Sequence, residues 1–469
     1  MGLAALAAAA IAVLLFASSM LRDTLTGTEL EPVPLASITT AASVERPTLI
    51  NSALAKVQST TDGPPDGAPS SGLLTRPLSG EALQDVIPKL GQAEARLIDI
   101  YRLTSQGQHR EALAKADLLV RDHPNFHLAH LVHGDLLSLQ MRPVRQLGDV
   151  PDTKAQAAIE QLNVLRDESR RRLRALTERP PAGSIPTQFL SLASQSRHAI
   201  AVDASRSRLY LFENLTPQPA NGLLASAPRL KLLGDFYISV GLQGIEKQLE
   251  GDQRTPLGVY YITSNLNPAS LPDLYGVGAL PINYPNPLDV QRGKTGSGIW
   301  LHGTPSDQFV RAPLASDGCV VLSNPDLERL LRTVQIRTTP VVIAQELQWV
   351  QPDVLDSTRQ QFAASLEAWR SAKGQGDLQQ LKAFYSSRFQ NQGRNLEQWW
   401  PKVESEVRSG AVQRGVALKD LSMLQWRDIQ DTMVVTFGEV TNGQSRGVTK
   451  RQYWMRERDQ WKIFFEGTL

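Results

Sequence analysis

The chain of 469 residues contains a single cysteine, Cys319. One thiol cannot close an internal disulfide and cannot supply a Cys-rich zinc site, so neither kind of staple is available to the fold. Charge is sparse as well. Lys, Arg, Asp and Glu make up 20% of the residues and the formal net charge is +2, which removes the electrostatic case for nucleic acid as a partner. No charge precedes Arg22, and Leu3–Ala17 is an almost unbroken run of Ala, Leu, Val, Ile and Phe. Residues 1–22 therefore read as a signal peptide or a short membrane anchor, although the usual basic residues at its start are missing. A clean small-x-small cleavage site is also missing, which favours an uncleaved anchor. With no cysteine nearby, a lipid-modified start is excluded, and the rest of the chain is expected on the exported side.

An unpaired thiol in an exported chain is an oxidation hazard unless it is buried or used. Cys319 follows Ser316-Asp317-Gly318 and precedes the apolar run Val320-Val321-Leu322, a tight loop leading into a strand. His302 lies 17 residues upstream, at the end of Ile299-Trp300-Leu301, before Gly303-Thr304-Pro305. A thiol of ordinary pKa is mostly protonated at neutral pH, so a nucleophilic cysteine needs an imidazole to hold a reactive ion pair. A buried apolar cysteine accounts for the same residue equally well. Spacing alone leaves both readings open.

His302-Gly303-Thr304 followed by Ser316-Asp317-Gly318-Cys319 resembles the signature of the L,D-transpeptidase (YkuD) catalytic domain. The strand-glycine element Tyr237-Ile238-Ser239-Val240-Gly241 and the Thr-Pro-x-Gly element in Arg254–Ile262 stand upstream in that family's order. Two positions depart from the pattern: Asp317 replaces the usual second histidine, and Leu322 replaces an Asn or Arg. The resemblance implies Cys319 as nucleophile and His302 as general base and acid. It also implies the Gly303 carbonyl as the acceptor that orients His302, and the Gly318 and Cys319 N–H groups as an oxyanion hole. Ser316 and Asp317 are the substrate-binding candidates, Asp317 equally a loop-capping carboxylate. The implied reaction is acyl transfer on peptidoglycan stem peptides through a Cys319 thioester, in the periplasm or cell envelope, with no cofactor and no metal. Two alternatives follow from the departures: an L,D-carboxypeptidase that trims tetrapeptides to tripeptides, and an inactive wall-binding scaffold. The loop residues Arg254, Tyr284, Asn286, Arg292 and Lys294 could touch stem carboxylates, but each reads first as an ordinary loop residue.

The remaining organisation is multidomain. Residues 23–80, rich in Thr, Ser, Pro, Ala and Gly, read as a flexible linker. Residues 81–180 read as a helical module in which Leu97, Ile98, Tyr101, Gly107, Ala112, Ala116 and Pro124 approach a tetratricopeptide (TPR) pattern. His123, His127, His130 and His133 cluster there, and their spacing favours surface or packing roles over a metal site. Arg166, Arg170 and Arg174, with Arg171 and Arg172 beside them, read as a solvated face. Residues 196–345 form the YkuD domain, expected as a mainly β sandwich, with Asn324 as cap of the helix after the nucleophile. Residues 355–469 hold six of the eight tryptophans. Their helix-then-strand order and the run Trp461–Gly467 resemble nuclear-transport-factor-2-like domains, an α+β class with a cone-shaped interior that implies a pocket for a sugar or peptide. Envelope proteins as partners of the TPR-like and C-terminal parts, and a homodimer, are the expectations for assembly.

Overall fold

The structure, a computed structural model, describes residues 87–150, 152–217, 227–408, 415–441, 444 and 447–469. The expected signal or anchor over 1–22 and the linker over 23–80 lie outside the described residues. Among the described residues, no helix is long and apolar enough to cross a membrane.

The helical module is built on Gln92–Ser105, His109–Asp122, His127–Ser138 and Ile159–Thr177. Leu97, Ile98 and Tyr101 on the first helix and Ala112, Ala116 and Leu119 on the second recur at three and four residues, so each helix carries one apolar stripe. These stripes, with Phe126, Leu128 and Val132, close a core of their own. The basic run at its end is not a uniformly solvated face. Arg172 is buried and its guanidinium lies over the Tyr237 ring at 4.0 Å. It also pairs with Glu94 at 3.0 Å and Glu168 at 2.8 Å. Glu94 in turn meets the fully buried Arg208 of the next domain at 2.8 Å, and Arg208 meets Asp235 at 2.6 Å. Two buried guanidiniums against three carboxylates join the module to the catalytic domain. Breaking such a network strands a charge, which costs about 3–5 kcal/mol. The histidines have packing roles: His133 Nε2 meets Asp117 Oδ1 at 2.6 Å, and His130 Nε2 meets the Pro124 carbonyl at 2.9 Å.

In the catalytic domain a five-stranded sheet runs in the order Leu230–Tyr237, Arg208–Asn214, His198–Asp203, Pro340–Ala344, Gly258–Tyr261. His198–Asp203 is almost wholly apolar because both faces of this sheet are covered. Ile200 and Val202 face Leu280, Leu301, Val320 and Leu322 in the domain core. Ala199 and Ala201 face outward against Leu424, Val434 and Tyr453 of the C-terminal sheet. A three-stranded sheet, ordered Val320–Val321, Trp300–His302, Ala279–Pro281, closes the domain core and carries the site.

The C-terminal part begins with the long helix Asp356–Gln375 and ends in four antiparallel strands: Val416–Trp426, Thr432–Thr441, Val448–Glu457 and Gln460–Thr468. A fifth strand, Phe189–Ser191, comes from the chain before the catalytic domain and pairs at Met423 and Leu424. The run Leu424–Ile429 has the composition of a strand, but only its first part forms one. The strand ends at Trp426, and Ile429 lies in the following turn, 95% exposed. Trp369, Trp399, Trp400, Phe437 and Trp454 pack in one core. Lys373 and Lys450 lie buried there against Glu406, Glu439 and Glu466.

Candidate active site

Two short parallel strands set the geometry. Val320 pairs with Leu301 and Val321 with His302. Side chains alternate along a strand, so Leu301 and Val320 point into the core while His302 and Cys319 project on the opposite face. The backbone confirms the register one step earlier, where the Trp300 N–H donates to Cys319 Sγ at 3.4 Å. The thiol itself lies 3.5 Å from the Gly298 carbonyl and is half-buried.

His302 Nδ1 sits 2.7 Å from the Gly303 carbonyl. A carbonyl can only accept, so Nδ1 carries the proton and Nε2 keeps its lone pair, the tautomer that a general base needs. Gly303 does more than supply this oxygen. A Cβ there would come 2.0 Å from Asn324 Oδ1. Asn324 accepts from the N–H groups of Thr304 and Val277, at 3.1 and 3.2 Å, and its Nδ2 donates to the Thr304 carbonyl at 2.9 Å. It therefore clamps the turn after the histidine. The helix cap expected at Asn324 falls instead to Ser323, whose hydroxyl accepts from the Asp326 N–H. Tyr275 covers the imidazole edge-on, with ring centroids 5.0 Å apart.

The nucleophile loop is held from inside. Ser316 Oγ donates to the Cys319 carbonyl at 2.6 Å and accepts from the Gly318 N–H at 3.2 Å. Ser316, a substrate-binding candidate by sequence, is thus buried as a fastener of this loop. The Gly318 N–H, a candidate oxyanion donor, is bonded to that hydroxyl. Gly318 has φ +116°, and a Cβ would meet the Arg254 carbonyl at 2.7 Å, so glycine is required on both counts. Thr255 of the Thr-Pro-x-Gly element donates to the Gly318 carbonyl at 2.9 Å and accepts from the Gly241 N–H at 2.9 Å. That one buried hydroxyl ties the two upstream elements to the nucleophile. Asp317 is exposed beside the thiol and accepts from Gln253 Nε2 at 3.0 Å.

The five loop candidates are structural. Asn286 caps a short helix, Lys294 pairs with Asp289 at 3.0 Å, and Arg292 pairs with Asp428 of the C-terminal part at 2.6 Å through two bonds. Arg254 donates to the Ile245 carbonyl and Tyr284 to the Thr295 carbonyl. A different cation, Arg311, lies close enough to bear on both reactive groups. Its segment, 304–313, is gripped by the helical module. Phe309 stacks on Phe126 with centroids 4.4 Å apart and touches His123 at 4.9 Å. The Phe309 N–H donates to the Asn125 carbonyl, and Asn125 Nδ2 to the Ser306 carbonyl.

Burial drives the His302 pKa down to about 4 against the opposing bond to Gly303, and burial raises the Cys319 thiol above its ordinary value. A resting ion pair, expected from sequence, is therefore not what this site favours: both charged forms lose too much hydration. At rest, these directions leave the thiol and the imidazole both neutral. Because the folded His302 pKa is depressed, the imidazole is a competent base at every pH above about 4. We expect iodoacetamide alkylation of Cys319 to rise continuously with pH through the thiol's raised pKa. A rate plateau across neutral pH would reveal a preformed thiolate and contradict this assignment.

Comparison with known proteins agrees with this architecture. The model of the YkuD L,D-transpeptidase catalytic domain matches residues 197–343, and that of the Cds6 C-terminal NTF2-like domain matches residues 361–467. Among solved structures the chain is similar to Bd1075 of Bdellovibrio bacteriovorus, with 26% identity and a TM-score of 0.49 over 61% of this chain and 98% of that one. It is also similar to the helical cell shape determining protein Pgp2 of Campylobacter jejuni, with 24% identity and a TM-score of 0.46 over 60% of this chain and 95% of that one. No curated protein matches the chain. Behind its helical module, the chain carries a YkuD L,D-transpeptidase catalytic domain followed by a Cds6 C-terminal NTF2-like domain.

Proposed function

We propose that this chain is an envelope L,D-transpeptidase that acts on peptidoglycan stem peptides through a Cys319 thioester. The observation that carries the reading is the parallel register of Trp300–His302 with Val320–Val321. It projects His302 and Cys319 on one face while the Gly303 carbonyl holds the imidazole in the basic tautomer. In the first half-reaction the Cys319 proton passes to His302 Nε2 as Sγ bonds to the carbonyl of the stem residue that precedes the terminal D-amino acid. The C–N bond then breaks, and the imidazolium returns the proton to the departing amine. In the second, an amine or water attacks the thioester, gives its proton to His302, and the thiol is released. The Cys319 N–H is the oxyanion donor in this reading. The Gly318 N–H joins it by exchanging its long bond to Ser316 Oγ for the shorter, charge-assisted one. Arg311 donates to the Ala315 carbonyl at 3.4 Å and has no carboxylate within 4 Å among the described residues, so it is a cation available to a stem carboxylate.

Mass spectrometry of tetrapeptide muropeptides incubated with the full chain, beside Cys319→Ala, tests the proposal. Cross-linked dimers that require Cys319 are expected. Tripeptide with free D-alanine and no dimer would replace transfer by L,D-carboxypeptidation. Unchanged muropeptides in both samples would count against an enzyme and favour the wall-binding scaffold.

A further inference from the structure

A cavity of about 460 Å³ lies where the C-terminal sheet diverges from the catalytic domain, on the face of that sheet opposite its aromatic core. Three cations line it: Arg337 from the catalytic domain, and Lys419 and Arg451 from the C-terminal strands. Among the described residues, none of the three has a carboxylate within 4 Å. That holds even though Asp420 and the terminal residue Leu469 share the lining. Asp420 accepts from Gln195 Nε2, another residue of the lining, at 2.9 Å.

Arg451 is the built part of this site. It is 6% exposed, and its guanidinium lies flat on the Tyr261 ring, 3.3 Å from the centroid. Nε donates to Thr436 Oγ1 at 2.9 Å and Nη2 to the Arg337 carbonyl at 3.4 Å, which fixes the fork and leaves Nη1 without a partner among the described residues. Beneath it the Tyr261 hydroxyl, on a residue only 3% exposed, has no hydrogen-bond partner. The Thr338 hydroxyl, also shielded from solvent, has none either. A guanidinium held in place by two neutral acceptors, with no carboxylate beside it, is preorganised for an anion at its free Nη1.

We propose that this junction cavity binds a small carboxylate-bearing ligand of about sugar-acid or dipeptide size. Its carboxylate meets Arg451 Nη1, with Arg337 and Lys419 around it. The volume falls in the range of ordinary small-molecule sites, about 300–1,000 Å³. Because two of the cations belong to the C-terminal part and one to the catalytic domain, such a ligand also bridges the two. The site does not depend on the reaction assigned to Cys319.

Isothermal titration of the full chain tests this with N-acetylmuramic acid as the sugar acid, N-acetyl-D-alanyl-D-alanine as the peptide carboxylate, and inorganic phosphate as a generic anion. Arg337 and Lys419 have exposed side chains, so the double variant Arg337→Gln/Lys419→Gln keeps the fold. Saturable millimolar or tighter binding of one carboxylate is expected, weakened at least about tenfold in the double variant. Which of the two binds identifies the source of the carboxylate. Absence of saturable binding by either, equal binding in the double variant, or phosphate binding as tightly as both carboxylates would overturn the proposal.

Discussion

Cys319→Ala is expected to remove turnover of stem peptides altogether, a loss of about four orders of magnitude or more in kcat, while folding stays intact. The thiol is half-buried, with long contacts to the Trp300 N–H at 3.4 Å and the Gly298 carbonyl at 3.5 Å. Deleting it thus removes the nucleophile and little packing. His302→Ala should be nearly as damaging, leaving a trace of about 10²–10⁴-fold lower activity, because the thiol is then deprotonated only by solvent. The two losses should not multiply in the double variant, since base and nucleophile act in one step. Thermal unfolding of each variant, run beside the muropeptide assay, separates lost chemistry from lost structure. Wild-type turnover in Cys319→Ala would end the mechanism.

The second large effect is expected far from the thiol. Phe309→Ala removes the side chain that anchors the segment between base and nucleophile in the helical module, where it stacks on Phe126 and His123. A buried Phe→Ala change costs about 3–5 kcal/mol. Here the cost falls on the grip between module and loop rather than on the catalytic core. Arg311 then loses its fixed place, and small misplacements at a reacting centre cost up to about 10²-fold in rate. We expect kcat/KM to fall by about one to two orders of magnitude, with most of it restored by Phe309→Leu. Iodoacetamide labelling of Cys319 should stay near wild type, because the thiol's own strand is untouched. Equal loss of labelling and turnover would mean that the variant had disturbed the nucleophile loop itself.

What sequence could reveal divides along contact distance. The polar turn and short apolar strand at Cys319 and at His302 mark both residues but leave a buried cysteine equally open, and it is the resemblance that pairs them and gives Gly303 its role. The grip on Phe309 was not legible. One apolar residue in a polar loop carries no periodicity, and its partners Phe126 and Asn125 are remote in the chain. Asn324 was placed at the right helix end in the wrong role. Ser323 and Asn324 are both competent caps before a proline, and only the fold shows that the asparagine is needed at the histidine turn. Thr255 lay in a motif that was noticed, but its use, a single hydroxyl bonded to the Gly318 carbonyl, is a tertiary fact. The strand Phe189–Ser191 is too short to carry a pattern and is recruited by a sheet whose other strands begin at Val416. The arginine run misled for the same reason: Arg172 reads as surface until its partners, Glu94 and Tyr237, are in view.

The catalytic claim rests on a covalent intermediate, and intact-protein mass spectrometry of the full chain, quenched in acid shortly after mixing with tetrapeptide, addresses it directly. The expected result is a mass increase equal to the tetrapeptide less free D-alanine, which is the tripeptide less one water. It should map to the Cys319 peptide, be removed by hydroxylamine as a thioester is, and be missing in Cys319→Ala. Turnover without any adduct at Cys319, or an adduct that survives in Cys319→Ala, would contradict the account.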